Sequence, residues 1–120
     1  MMKCAAMPQR PKSSPADRVF SALANPTRRD VLDLLLEGPR PVQDIADRFD
    51  MTRPSVSEHL KVLREAGLVS ETRQGRQRLY AVEPGPLRDL QEWLLPYERF
   101  WRDKIRALGE LLDADRDAHP

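Results

Sequence analysis

The sequence predicts a mainly α chain folded as a winged helix-turn-helix, with a two-stranded β-hairpin as the wing and a long helix at the C-terminus. Three observations predict it. Short helical patterns follow one another between Ala16 and Gly67 with only tight turns between them. Two strand patterns then flank Gln74-Gly75-Arg76, and three arginines crowd that turn. After Pro84-Gly85-Pro86, an apolar stripe at steps of three and four runs from Leu87 to Leu112.

Residues 1–15 carry Pro8, Pro11 and Pro15 with few large apolar groups, the composition of a disordered tail. A first helix is expected over Ala16 to Ala24, with Val19, Phe20 and Leu23 on one face. Asn25-Pro26 is an N-cap followed by proline at the first helical position, which starts a second helix over Thr27 to Glu37. Val31, Leu32, Leu34, Leu35 and Leu36 make that helix apolar almost all round, so it is expected to be buried; Gly38-Pro39 ends it.

A third helix spans Val42 to Phe49, carried by Val42, Ile45, Ala46 and Phe49. After the tight connection Asp50-Met51-Thr52, Thr52 caps a fourth helix with Pro54 in its first turn, where the missing N–H is no loss. Val56, Leu60 and Leu63 form its buried stripe, and Gly67 stops it. Leu68 to Arg73 and Gln77 to Val82 read as the two strands of the hairpin. The winged core therefore covers 16–85 and the final helix 86–113, with a kink or break expected near Pro96 and a frayed end over 114–120.

At 120 residues the chain is one small domain, 40% apolar and 32% charged, as in a soluble globular protein. No apolar run approaches the ~18 residues of a membrane span and the N-terminus has no hydrophobic leader pattern, so a cytoplasmic location is expected. One cysteine, Cys4, makes neither an internal disulfide nor a zinc cluster; a redox role for it stays open. The net charge of +1 hides a polarity: residues 1–82 hold 14 basic against 10 acidic side chains, residues 83–120 hold 6 against 9. A polyanion is thus expected to meet the N-terminal part of the chain.

The residue types on the fourth helix suit a double-stranded nucleic acid. Ser55, Ser57 and His59 are short donors and acceptors that let a helix approach base edges, while Arg53 reaches guanine edges. Thr52, Lys61 and Arg64 position the helix on phosphates, and Arg73, Gln74, Arg76 and Arg78 of the hairpin tip suit the flanking backbone or minor groove. Glu58 has two readings: an exposed acid paired with Lys61, or an acceptor for cytosine N4. A catalytic role for His59 finds no support, because Ser57 and His59 point different ways on a helix and no acid completes a triad.

The stretch from Phe20 to Val82 resembles the ArsR/SmtB family of winged-helix repressors. The resemblance is carried by LANPTRR, by SVSEHLKVLREAGLV and by the basic hairpin ending in Leu79-Tyr80; the tail WLLPYERFW resembles the metal-independent, autorepressor-like branch. It covers about residues 17–113 and implies a homodimer that binds an operator, often its own promoter, and releases it on a signal. It also places the position of His59 against DNA. Metal sensors of the family carry Cys-x-Cys at the start of the third helix, or Asp/His ligands on the last. Here the matching cysteine positions are Pro41 and Gln43, and the last helix has no histidine, His119 lying at the frayed end, so no metal and no other cofactor is expected.

Trp93, Tyr97, Phe100 and Trp101 give the last helix more apolar surface than one partner uses. Together with Leu87, Leu90, Leu94, Ile105, Leu108 and Leu112, and with Val19, Phe20 and Leu23 of the first helix, they are expected to meet a second subunit. The expected function is a homodimeric, sequence-specific DNA-binding repressor on a palindromic operator, not an enzyme. The alternatives are a protein-interaction module on the same scaffold, or a repressor released by an unidentified small molecule.

Overall fold

The computed structural model describes residues 14–118, and their side chains as far as residue 116. The expected tail therefore lies almost wholly outside the described residues, as do Cys4 and His119. In chain order the elements are α1 (Pro15–Leu23), α2 (Pro26–Leu35), β1 (Arg40–Pro41), α3 (Val42–Phe49), α4 (Arg53–Glu65), β2 (Val69–Gln74), β3 (Gln77–Val82) and α5 (Leu87–Ala118). The chain divides into two compact units at Leu90/Gln91.

Caps set the helix boundaries in the first unit. Ser14 Oγ accepts the Asp17 N–H at 3.2 Å and Pro15 opens α1, so this helix begins earlier than the apolar pattern alone indicates. Asn25 Oδ1 accepts the Arg28 N–H at 3.1 Å and Pro26 opens α2. The two arginines of the LANPTRR stretch then turn back to the end of α1, whose last carbonyls have no partner within the helix. Arg28 Nε donates to the Ala22 carbonyl at 2.7 Å and Nη2 to that of Ser21 at 3.2 Å, while Arg29 Nη1 reaches the Leu23 carbonyl at 2.7 Å. That stretch is thus a clamp holding α1 against α2, built from charge-assisted hydrogen bonds.

The core gathers Val19, Ala22, Val31, Leu34, Leu35, Ile45, Ala46, Val56, Leu60, Leu63, Leu68 and Val69. Two expectations need correction. Leu36 is 73% exposed, because α2 ends at Leu35 and Leu36 sits at its C-cap, turned off the buried face. Val19 is 1% exposed within the single chain, so it is spent on its own core and is not a surface for a second subunit.

The hairpin is present as expected, and a short strand joins it: the sheet order is β1-β3-β2, antiparallel throughout. β1 pairs Arg40 with Tyr80 and Pro41 with Leu79, which ties the start of α3 to the root of the wing. Gly75 takes φ 66°, as a two-residue hairpin turn with glycine first requires, between the paired Gln74 and Gln77. Gly67 ends α4 with φ 78°, and a Cβ there would lie 3.2 Å from Pro86 Cγ; both conformation and space demand glycine.

The second unit holds most of α5. The helix runs through Pro96 without interruption and on to Ala118, past the expected end at 113, since no glycine or proline follows Gly109 until Pro120. Trp93, Leu94, Tyr97, Phe100, Trp101, Ile105, Leu108 and Leu112 are all exposed along it, with Leu95 and Leu111 beside them. The Trp93 and Tyr97 rings stack tilted with centroids 4.7 Å apart, and Lys104 Nζ lies 5.2 Å above the Phe100 ring. Among the described residues no helix is long and apolar enough to cross a membrane.

Candidate nucleic-acid interface

The candidate site is the exposed side of α4 and the hairpin beside it. Thr52 Oγ1 accepts the Ser55 N–H at 3.2 Å, which fixes the first turn and leaves the helix N-terminus open to solvent. Val56, Leu60 and Leu63, each at most 1% exposed, anchor the opposite face. Because residues four apart share a side of a helix, the expected contacts fall on two flanks. Arg53, Ser57, Lys61 and Arg64 lie on the flank toward the wing; Ser55 and His59 lie on the other, and both are half-buried. Glu58 projects between the flanks, on the exposed side, and no ion pair joins it to Lys61.

A polar cleft of about 600 Å³ separates α4 from the wing, lined in part by Asp44, Arg53, Ser57, Arg76, Arg78 and Tyr80. A smaller one of about 250 Å³ adjoins it, with Ser57, Lys61, Arg64, Glu71, Arg78 and Tyr80 in its walls. The structure thus brings Arg53, Ser57 and Lys61 together with Arg76 and Arg78. Arg73 and Gln74 stand exposed at the outer end of β2.

Sequence reasoning missed the group at the centre of this arrangement. Glu71 Oε1 lies 3.0 Å from Arg64 Nη1, and its Oε2 lies 3.7 Å from Arg78 Nη1. The Tyr80 hydroxyl donates to the same Oε2 at 2.9 Å. Burial raises the Tyr80 pKa above its ordinary value; its hydrogen bond to the Glu71 carboxylate and that group's charge raise it further, against the opposing pull of Arg64 and Arg78. The signal was available in the strand register. With a two-residue turn at Gly75-Arg76, Glu71 must face Tyr80 and Arg73 must face Arg78.

Comparison with known proteins places the chain among bacterial regulators. The family model described as bacterial regulatory protein, arsR family, matches residues 25–71, from the cap of α2 to Glu71. The chain is 38% identical over 101 residues to the HTH-type transcriptional regulator Rv2034 of Mycobacterium tuberculosis, covering 84% of this chain and 92% of that protein. It is 38% identical over 81 residues to the transcriptional repressor SdpR of Bacillus subtilis, covering 68% and 90%. Among solved structures, it is similar to a homodimeric winged helix-turn-helix DNA-binding domain from Mycobacterium bovis, at 30% identity and a TM-score of 0.59, covering 78% of this chain and 90% of that one. An ArsR family transcriptional regulator, RHA00566, matches at 37% identity and a TM-score of 0.66, covering 74% and 98%.

Proposed function

Because the chain belongs to the ArsR family of bacterial regulatory proteins, we propose that it is a homodimeric transcriptional repressor that binds a palindromic operator and carries no metal site of its own. The observation that carries this reading is the pairing of an open, hydroxyl-rich α4 N-terminus with a basic cleft and wing. In the major groove, Arg53, Ser55, Ser57 and His59 read base edges, with Glu58 between them. Thr52 and Lys61 hold the helix on phosphates, and Arg73, Gln74 and Arg76 follow the backbone or the minor groove. The winged core, 16–85, is the DNA-binding part.

The exposed apolar stripe of α5 supports the second half of the proposal. A single chain gains nothing from leaving two tryptophans, a tyrosine and a phenylalanine in water, and a contiguous apolar face of this kind marks an interface. Two-fold pairing sets two α4 helices one helical turn of about 10–10.5 base pairs, or a multiple of it, apart. Metal independence rests on Pro41 and Gln43 at the positions where thiolates would stand.

The experiment is selection of bound duplexes from a random pool, repeated with the DNA upstream of the protein's own coding sequence and with Zn(II) or oxidant added. The expected result is a palindrome, present upstream, whose binding ignores both additions. Release by Zn(II) overturns the metal-free assignment; absence of any enriched duplex overturns DNA recognition.

A further inference from the structure

We propose that Glu71 is an internal stand-in for DNA phosphate, which keeps Arg64 and Arg78 out of the protein's contacts with the duplex backbone. The inference rests on the DNA-binding reading above and sharpens it, because both arginines sit where phosphate contacts are expected.

Three features of the geometry carry it. The first is the pairing: one carboxylate meets two guanidinium groups from different elements, Arg64 from α4 at 3.0 Å and Arg78 from β3 at 3.7 Å. A carboxylate and a phosphate offer arginine the same planar pair of acceptor oxygens, so the two compete for the same donors. The second is the fixing of that carboxylate. The Tyr80 hydroxyl donates to it at 2.9 Å from the directly opposite strand position, and Glu71 keeps only 20% of its side-chain surface exposed. Arg64 and Arg78 are 50% and 63% exposed, so the acid is held in place while the arginines remain within reach of solvent. The third is the register. Arg73 and Arg78 stand directly opposite on the hairpin, a like-charge pair that is unfavourable without a counter-charge. Glu71 supplies that charge from the same face of the sheet, two residues from Arg73.

The consequence is a ceiling on sequence-independent binding. Each arginine that neutralises a phosphate strengthens attachment to every duplex and steepens its salt dependence by about 0.9 in d log K/d log[salt]. With two arginines engaged internally, a larger share of binding depends on the base contacts of α4. Arg53, Lys61, Arg73 and Arg76 make no such pair among the described residues and remain open to phosphates or bases.

The test measures binding of the full chain to a labelled mixed-sequence duplex between about 50 and 200 mM salt. Glu71→Gln keeps the acceptor for Tyr80 and removes the charge. The expected result is tighter binding at low salt and a slope steeper by up to about 1.8, which is 0.9 for each released arginine. In an Arg64→Gln/Arg78→Gln background the same change is expected to leave the slope where it is. Those two arginine substitutions alone are likewise expected to leave the slope of the natural chain unaltered, a readout that holds even where Glu71→Gln does not fold. An unchanged or shallower slope in Glu71→Gln overturns the proposal, as does steepening that persists in the arginine-free background. So does a loss of about 0.9 for either arginine alone. Failure of the natural chain to bind any duplex at ~50 mM salt overturns the DNA-binding reading itself, and this proposal with it.

Discussion

Trp101→Ala tests the α5 interface most directly. Trp101 is 64% exposed in the single chain. A tryptophan side chain carries about 200 Å² of surface, so about 130 Å² of mostly apolar area awaits cover. At about 25 cal/mol per Å² that is about 3 kcal/mol per copy. In a two-fold interface each residue appears twice, which doubles the figure to about 6 kcal/mol. An indole covered over only half its free area still supplies about 3 kcal/mol, and its loss weakens dimerisation roughly 100-fold. Sedimentation equilibrium over a dilution series measures this directly. The substitution leaves the core untouched, so circular dichroism and the folding of the winged unit should not change. Binding to a palindrome should fall with dimer fraction while binding to a half-site duplex persists. An unaltered monomer–dimer equilibrium would refute the assignment of the α5 stripe to a second subunit.

Arg76→Ala is expected to weaken all duplexes alike and to lower the salt slope by about 0.9, whereas Ser57→Ala and His59→Ala weaken the operator selectively; titrations on operator and mixed-sequence DNA separate the patterns, and the reverse outcome counts against the groove assignment. Glu58→Ala is expected to relax preference at one cytosine-containing position by about 1–3 kcal/mol, and base preference identical to the natural chain would leave Glu58 as a bystander. Tyr80 has a folded-state pKa above its unfolded value of about 10, so its contribution to stability is full below that pH and disappears as pH rises through the raised value. Urea unfolding across that range should lose more stability in the natural chain than in Tyr80→Phe, and equal losses in both would count against the raised Tyr80 pKa, set first by burial and then by Glu71, as the source.

Elements were legible in the sequence where local chemistry alone decides them. The span Val42–Phe49 could be read because its apolar residues recur at helical spacing, and α4 because Thr52, Pro54 and Gly67 are cap and stop residues whatever surrounds them. β1 was not legible: two residues between Gly38-Pro39 and α3 have no periodicity, and only pairing with Leu79 and Tyr80 makes them a strand. Leu36 and Val19 were misplaced for a related reason, since spacing gives a face but not which neighbour the fold sets against it. In the candidate site, the residues nominated as DNA contacts were chosen by type. Type could not reveal that Arg64 and Arg78 already have an acid, because Glu71 is reached through the hairpin register rather than along the chain. The arginines of LANPTRR, recognisable as a motif, acquired a physical role only when their carbonyl partners on α1 were known.

On the proposed DNA-binding reading, the two flanks of α4 constrain how the helix meets a duplex. A helix lying lengthwise in a groove presents one side to the floor, and Ser55 and His59 do not share a side with Arg53 and Ser57. Both sets reach bases together only where the helix enters end-on, with its first two turns deepest. The charges agree with that approach. The N-terminal turn carries the positive end of the helix dipole, has no acid in it, and is the end from which Arg53 projects. At the other end Glu65 is exposed and Arg64 is engaged with Glu71, so the C-terminal turn adds little net positive charge to the surface. On the proposed reading the Thr52 cap both starts the helix and holds this end on phosphate, while the turn ending at Gly67 belongs to the scaffold. On the proposed approach Glu58, exposed between the flanks in the second turn, is the acid set nearest the groove floor, and the Glu58→Ala measurement decides between a bystander and an acceptor for cytosine N4.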